Sequence, residues 1–84
     1  MADWIDSGDF EQPVHLVMEG DEIEVSTTRE AAEMLLYKWP IGETGIRIQA
    51  RMACMRVLGG SEPPETARRA FSDAAKEAEI LDMS

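Results

Sequence analysis

The apolar rhythm of the chain changes at Thr27, and that change fixes the class of fold. Ahead of it, Val14, Leu16 and Met18 alternate with His15 and Val17. Ile23 and Val25 resume the alternation after Glu19-Gly20-Asp21-Glu22. A period of two marks a half-buried strand. Gly20 can take a positive φ and close a turn. The segment reads as an antiparallel hairpin over about 13–19 and 22–26. Pro13 falls at its start, where a missing N–H does least harm.

From Thr27 onward the period is helical. Thr27-Thr28-Arg29-Glu30 is a capping box. The Thr27 hydroxyl accepts from the N3 amide, and Glu30 reaches back to the Thr27 N–H. The spacing predicts a helix over 28–38, with Ala31, Ala32, Leu35, Leu36 and Trp39 on one side. Trp39-Pro40 ends it, because a residue before proline is pushed out of the α region. Thr44 is the N-cap of a second helix over 45–58, stopped by Gly59-Gly60. Pro63-Pro64 opens a third over 64–80, whose buried face is Ala67, Ala70, Phe71, Ala74, Ala78 and Leu81. The order is β-β-α-α-α, an α+β fold in which an N-terminal antiparallel hairpin precedes three helices.

With 84 residues there is room for one domain. Residues 1–9 read as an acidic, mobile N-terminus from which Trp4 docks on the body, and 10–84 as the domain. The chain carries 17 acids against 8 bases, a net charge of −9. Residues 1–24 hold eight of those acids and no base. Such a segment repels phosphate and anionic lipid. It is either a solvated rim that keeps a small protein soluble or an acidic patch for a basic partner. The lone Cys54 cannot form an internal disulfide, which fits a reducing cytoplasm. The N-terminus has acids where a signal peptide has bases, and no stretch reaches the ~18–20 apolar residues of a membrane span. A cytoplasmic location and no membrane partner are expected.

Helix 2 is apolar on two sides. At about 100° per residue, Ile46, Ala50, Ala53, Cys54 and Val57 gather on one face, with Leu58 at its margin. Ile48, Met52 and Met55 form a second stripe at i, i+4 and i+7. Arg47 and Arg51 separate the faces on one side, Gln49 and Arg56 on the other. A helix that only caps a core needs one stripe. Either helix 2 is sandwiched between the hairpin and its sister helices, or Arg47, Ile48, Arg51, Met52 and Met55 form a partner surface. Methionine and arginine both suit such surfaces, and a homodimer through helix 2 is the simplest case.

Signals for chemistry are weak. One His and one Cys cannot build a paired zinc site, and no EF-hand spacing or P-loop appears. No metal, cofactor or catalytic residue is assigned. A Cys54–His15 dyad would require helix 2 to lie on the exposed face of the hairpin. Arg47, Arg51 and Arg56, with Arg68-Arg69, would form a nucleic-acid surface only if they converged unpaired. The aromatics that would stack bases are scattered. Glu43, Glu65 and Asp73 are the acids placed to neutralise these arginines.

In sequence order, Val25-Ser26-Thr27-Thr28-Arg29-Glu30-Ala31-Ala32, Leu35-Leu36, Trp39-Pro40, Ala50, Ala53-Cys54, Leu58-Gly59 and Pro64-Glu65-Thr66-Ala67-Arg68-Arg69-Ala70-Phe71 form a pattern. It resembles the short alphaproteobacterial, mostly rhizobial, family called domain of unknown function 982, over about residues 10–81. The family tends to have Gly-Pro before helix 2, where this chain has Glu43-Thr44-Gly45. It often has Ala-Gly-Ile where this chain has Ala78-Glu79-Ile80. The resemblance implies a small bacterial cytoplasmic protein with no assigned activity, and it lends no catalytic residue. The expectation is a non-enzymatic protein-interaction or regulatory module. The alternatives are a small nucleic-acid binder using Arg47, Arg51 and Arg56, or a small enzyme of unknown reaction.

Overall fold

A computed structural model describes residues 8–82. The expectations for the acidic N-terminus and Trp4 lie outside the described residues. Two strands, β1 (Asp9–Met18) and β2 (Asp21–Thr27), precede α1 (Thr28–Tyr37), α2 (Gly45–Leu58) and α3 (Pro64–Glu77). This is the α+β arrangement expected.

The hairpin closes through Met18 opposite Asp21, leaving Glu19 and Gly20 as a two-residue loop. Both have positive φ, 53° and 84°. That conformation matches the right-handed twist of the flanking strands. The strands run further than the alternation suggests, because Asp9 pairs with Thr27 across an irregular stretch between Asp9 and Val14. Pro13 therefore sits within β1 rather than at its start, where the ladder is already interrupted.

Each helix boundary has a local cause. Glu30 N–H donates to Thr27 Oγ1 at 3.0 Å. The Glu30 carboxylate accepts from Ser26 N–H at 2.8 Å, not from Thr27 N–H. Thr27 is still paired with Asp9 in the ladder, so the outward amide in reach is that of Ser26. Thr44 Oγ1 caps α2 by accepting from Arg47 N–H at 3.1 Å. At its other end, Ser61 N–H donates to Arg56 O and Gly60 N–H to Val57 O. This paired closure needs a left-handed residue, and Gly60 supplies it at φ 88°.

α3 ends at Glu77, three residues before the expected boundary. The same closure stops it: Ile80 N–H donates to Ala75 O and Glu79 N–H to Lys76 O. Here Glu79 holds the left-handed position at φ 60°. No glycine announces this stop. The chain then runs back along β1, where Leu16 and Leu81 form an antiparallel bridge.

Phe71, Leu16, Leu35, Val25, Thr28 and Cys54 are the largest fully buried side chains. Trp39 packs on Phe71 with ring centroids 5.6 Å apart. Thr28 joins the core because its hydroxyl donates to Gly8 O at 2.8 Å. Gly8 has φ +69°, and a Cβ there would lie 2.4 Å from Thr28 Oγ1. Two residues expected in the core are not there. Leu36 is 52% exposed and Ile46 43% exposed. Leu36 lies beyond the buried stripe of Thr28, Ala31, Met34 and Leu35, and Ile46 sits in the open first turn of α2. α1 packs on β2 and α3 on β1, while α2 packs against α1 and α3. Helix 2 is therefore not sandwiched against the hairpin. Among the described residues, no helix is long and apolar enough to cross a membrane.

Candidate functional site

The buried residues of α2 are Ala50, Ala53, Cys54 and Val57. Ile48, Met52 and Met55 lie about opposite them around the helix, at 36%, 47% and 67% exposure. The stripe continues onto α1: Ala32, Leu36, Arg51 and Met55 line a small cleft of about 100 Å³ between the two helices. Leu36, assigned to the core by its spacing, is thus part of this apolar surface.

The two arginines that flank the stripe have separate roles. Arg51 makes a bidentate pair with Glu43, at 2.6 and 2.7 Å. These hydrogen bonds hold the Glu43 carboxyl below its usual range and push the Arg51 guanidinium further up. Arg51 therefore rims the stripe with its charge balanced locally. Arg47 turns inward, and its side chain is 15% exposed. Its Nε donates to Leu35 O at 3.1 Å and its Nη1 to Ile41 O at 3.3 Å. Nη2 also donates to Leu35 O. Leu35 O lies in the last turn of α1, which carries no base of its own. A cation there answers the negative end of the helix dipole. Arg47 ties α1 to α2 and does not share the outward stripe with Ile48, Met52 and Met55.

The remaining features named from sequence are dispersed. Arg68 and Arg69 pair with Glu65, at 2.8 and 3.3 Å. Arg56 lies 3.8 Å from Glu62. Asp73 has none of these ion pairs; it lines an open groove of about 710 Å³ between the N-terminal half of α2 and the C-terminal half of α3. Cys54 is fully buried, and burial pushes its thiol up to about 11. Such a thiol is inert as a nucleophile at neutral pH. His15 is exposed on the outward face of the hairpin, opposite Glu24. With α2 packed against α1 and α3, the dyad geometry is not formed. Among the described residues, no group of three or more His, Cys, Asp or Glu could hold a metal ion.

Elsewhere in the fold, spacing gave no sign of the return segment after α3. Residues 80–82 lie along β1, with Val17 N–H donating to Ile80 O and Asp82 N–H to His15 O. A short Ile-Leu pair after a helix carries too little periodicity to announce a strand.

These features define a small α+β domain in which the most exposed methionines among the described residues share one helix face. The chain belongs to the family described as Protein of unknown function (DUF982), whose model matches residues 12–82. Neither a curated protein nor a solved structure matches it.

Proposed function

We propose that this protein is a non-enzymatic interaction module that pairs with a second copy of itself through the outward face of α2. The supporting observation is the exposure of Ile48, Met52 and Met55 on a helix whose other face already serves the core. The stripe is nearly symmetric about Met52. An antiparallel copy related by a two-fold axis sets Met52 against Met52 and Ile48 against Met55. α2 contains no acid, and Glu43 balances Arg51 within the same copy. Covering this face therefore buries no unpaired carboxylate. The acidic hairpin packs chiefly on α1 and α3, and its approach to α2 is at the buried Val57 and not at the outward stripe, so two acidic chains can meet here. The reading includes a cytoplasmic location, supported by the single buried free thiol.

Sedimentation velocity over a range of concentrations tests the proposal. The wild type is expected to sediment as a dimer. Met52→Glu and Met55→Glu are expected to sediment as monomers with unchanged far-ultraviolet circular dichroism. A wild type that stays monomeric at hundreds of micromolar contradicts the pairing. So does a dimer that both variants leave intact.

A further inference from the structure

The two edges of the hairpin are finished differently. On the β1 side, Val17 N–H donates to Ile80 O at 2.7 Å and Asp82 N–H to His15 O at 2.9 Å. His15 and Val17 therefore turn their backbone groups away from β2. Directly opposed residues in an antiparallel pair either exchange hydrogen bonds or both face away. Glu24 lies opposite His15 and Glu22 opposite Val17. The amides and carbonyls of Glu22 and Glu24 thus point to the outer edge of β2. The next outward amide, that of Ser26, is already taken by the Glu30 carboxylate. Among the described residues nothing pairs with the outer edge at Glu22 and Glu24, and an open ladder is a template for another strand.

Beside this edge runs a groove of about 350 Å³ between β2 and α1. Glu30, Glu33, Met34, Tyr37 and Lys38 line its helical wall. The first four follow each other at i, i+3, i+4 and i+7, one face of α1, and Lys38 caps the end of that helix. Tyr37 stands 78% exposed. The edge therefore offers carboxylates on the outward face of the sheet, from Glu22 and Glu24. Below it lies an apolar floor, rimmed by the Glu30 and Glu33 carboxylates along α1 and by Lys38 at its end.

We infer that the β2 edge binds an extended segment of a partner protein by strand addition, one with lysine or arginine at alternate positions and apolar residues between them. Main-chain hydrogen bonds to Glu22 and Glu24 hold the added strand, and alternate side chains supply specificity. Its basic side chains lie beside the Glu22 and Glu24 carboxylates. Its apolar side chains point to Met34 and Tyr37. Charge decides against a second copy at this edge. Pairing β2 with β2 about Ile23 sets Glu22 against Glu24 twice, and like charges directly opposed are destabilising. Glu22 and Glu24, two of the eight acids in residues 1–24, gain a binding role on this reading.

The test uses the full chain and a fluorescein-labelled nonapeptide of alternating lysine and valine. Anisotropy is expected to show saturable binding, and amide exchange at Glu22 and Glu24 is expected to slow. A peptide N-methylated on alternate residues cannot donate to the ladder and is expected to bind about tenfold more weakly or worse. The double variant Glu22→Lys with Glu24→Lys, on exposed positions, is expected to lose a similar factor. Binding to Met52→Glu is expected to match the wild type, which separates this edge from the α2 face. The inference is overturned by absence of saturable binding, by equal affinity for the N-methylated peptide, by protection elsewhere, or by loss of binding in Met52→Glu.

Discussion

α2 and α3 are each 14 residues long, and each buries four small or aromatic residues against the other elements. Their outward faces have little in common. α3 presents Glu65, Arg68, Arg69, Asp73, Lys76 and Glu77, the solvated face of an ordinary amphipathic helix. α2 presents Ile48, Met52 and Met55. The core is served equally well by both, so the fold explains the whole of α3 and only half of α2. An apolar face that folding does not use is where association is to be sought.

The sharpest contrast is between Phe71 and Met55. Phe71→Ala empties the centre of the core and is expected to cost about 3–5 kcal/mol in urea unfolding. Met55→Ala, measured at a concentration where the protein is monomeric, is expected to cost less than about 0.5 kcal/mol. A comparable loss at Met55 would make the outward stripe part of the core and break the contrast.

The arginines divide in the same manner, inverted. Arg47→Ala strips donors from the Leu35 and Ile41 carbonyls and is expected to cost about 1–3 kcal/mol. Arg69→Ala removes an exposed ion pair with Glu65 and is expected to leave the urea midpoint nearly unchanged.

The helix ends offer a smaller effect of opposite sign. Gly60 and Glu79 hold equivalent left-handed stops after α2 and α3. Gly60→Ala is expected to lower stability by about 1 kcal/mol, and Glu79→Gly to raise it by about 0.5–1 kcal/mol, in thermal or urea unfolding.

The weakest effect concerns acid. Hydrogen bonds from Arg51 and Arg68 lower the Glu43 and Glu65 carboxyls from the ordinary 4.5. The unfolded carboxylates take up protons first as pH falls. Their contribution is therefore complete above 4.5 and is lost on descent through the lowered folded values. Glu43→Gln and Glu65→Gln are each expected to flatten the acid limb of the stability curve slightly. Equal flattening fits two exposed pairs, whereas a much larger effect at Glu43 would mean that its pair is part of a buried contact.

The hairpin, the Thr27 and Thr44 caps and the full extent of α2 were legible because each carries its own local signal. The end of α3 was not. The cue for a left-handed stop is glycine, and this chain has Glu79 there. Leu36 shares the angular stripe yet stays exposed, because such a stripe reports the side of a helix but not how far its neighbour reaches. Spacing points Arg47 to the surface, since it gives no sign that the α1 carbonyl of Leu35 lies within its reach. The second stripe of α2 was visible, but its position relative to the hairpin depended on layer order, which no local pattern encodes.

The most direct test of the account is a cross-link at the centre of the stripe. A short bismaleimide reagent would be applied to Met52→Cys at neutral pH, with Asp73→Cys as the control on α3. The native Cys54 is buried and its thiol is pushed up to about 11, so it stays silent. The account predicts a covalent dimer from Met52→Cys and none from Asp73→Cys. Equal cross-linking at both positions, or none at Met52→Cys, would contradict the pairing of two copies through α2.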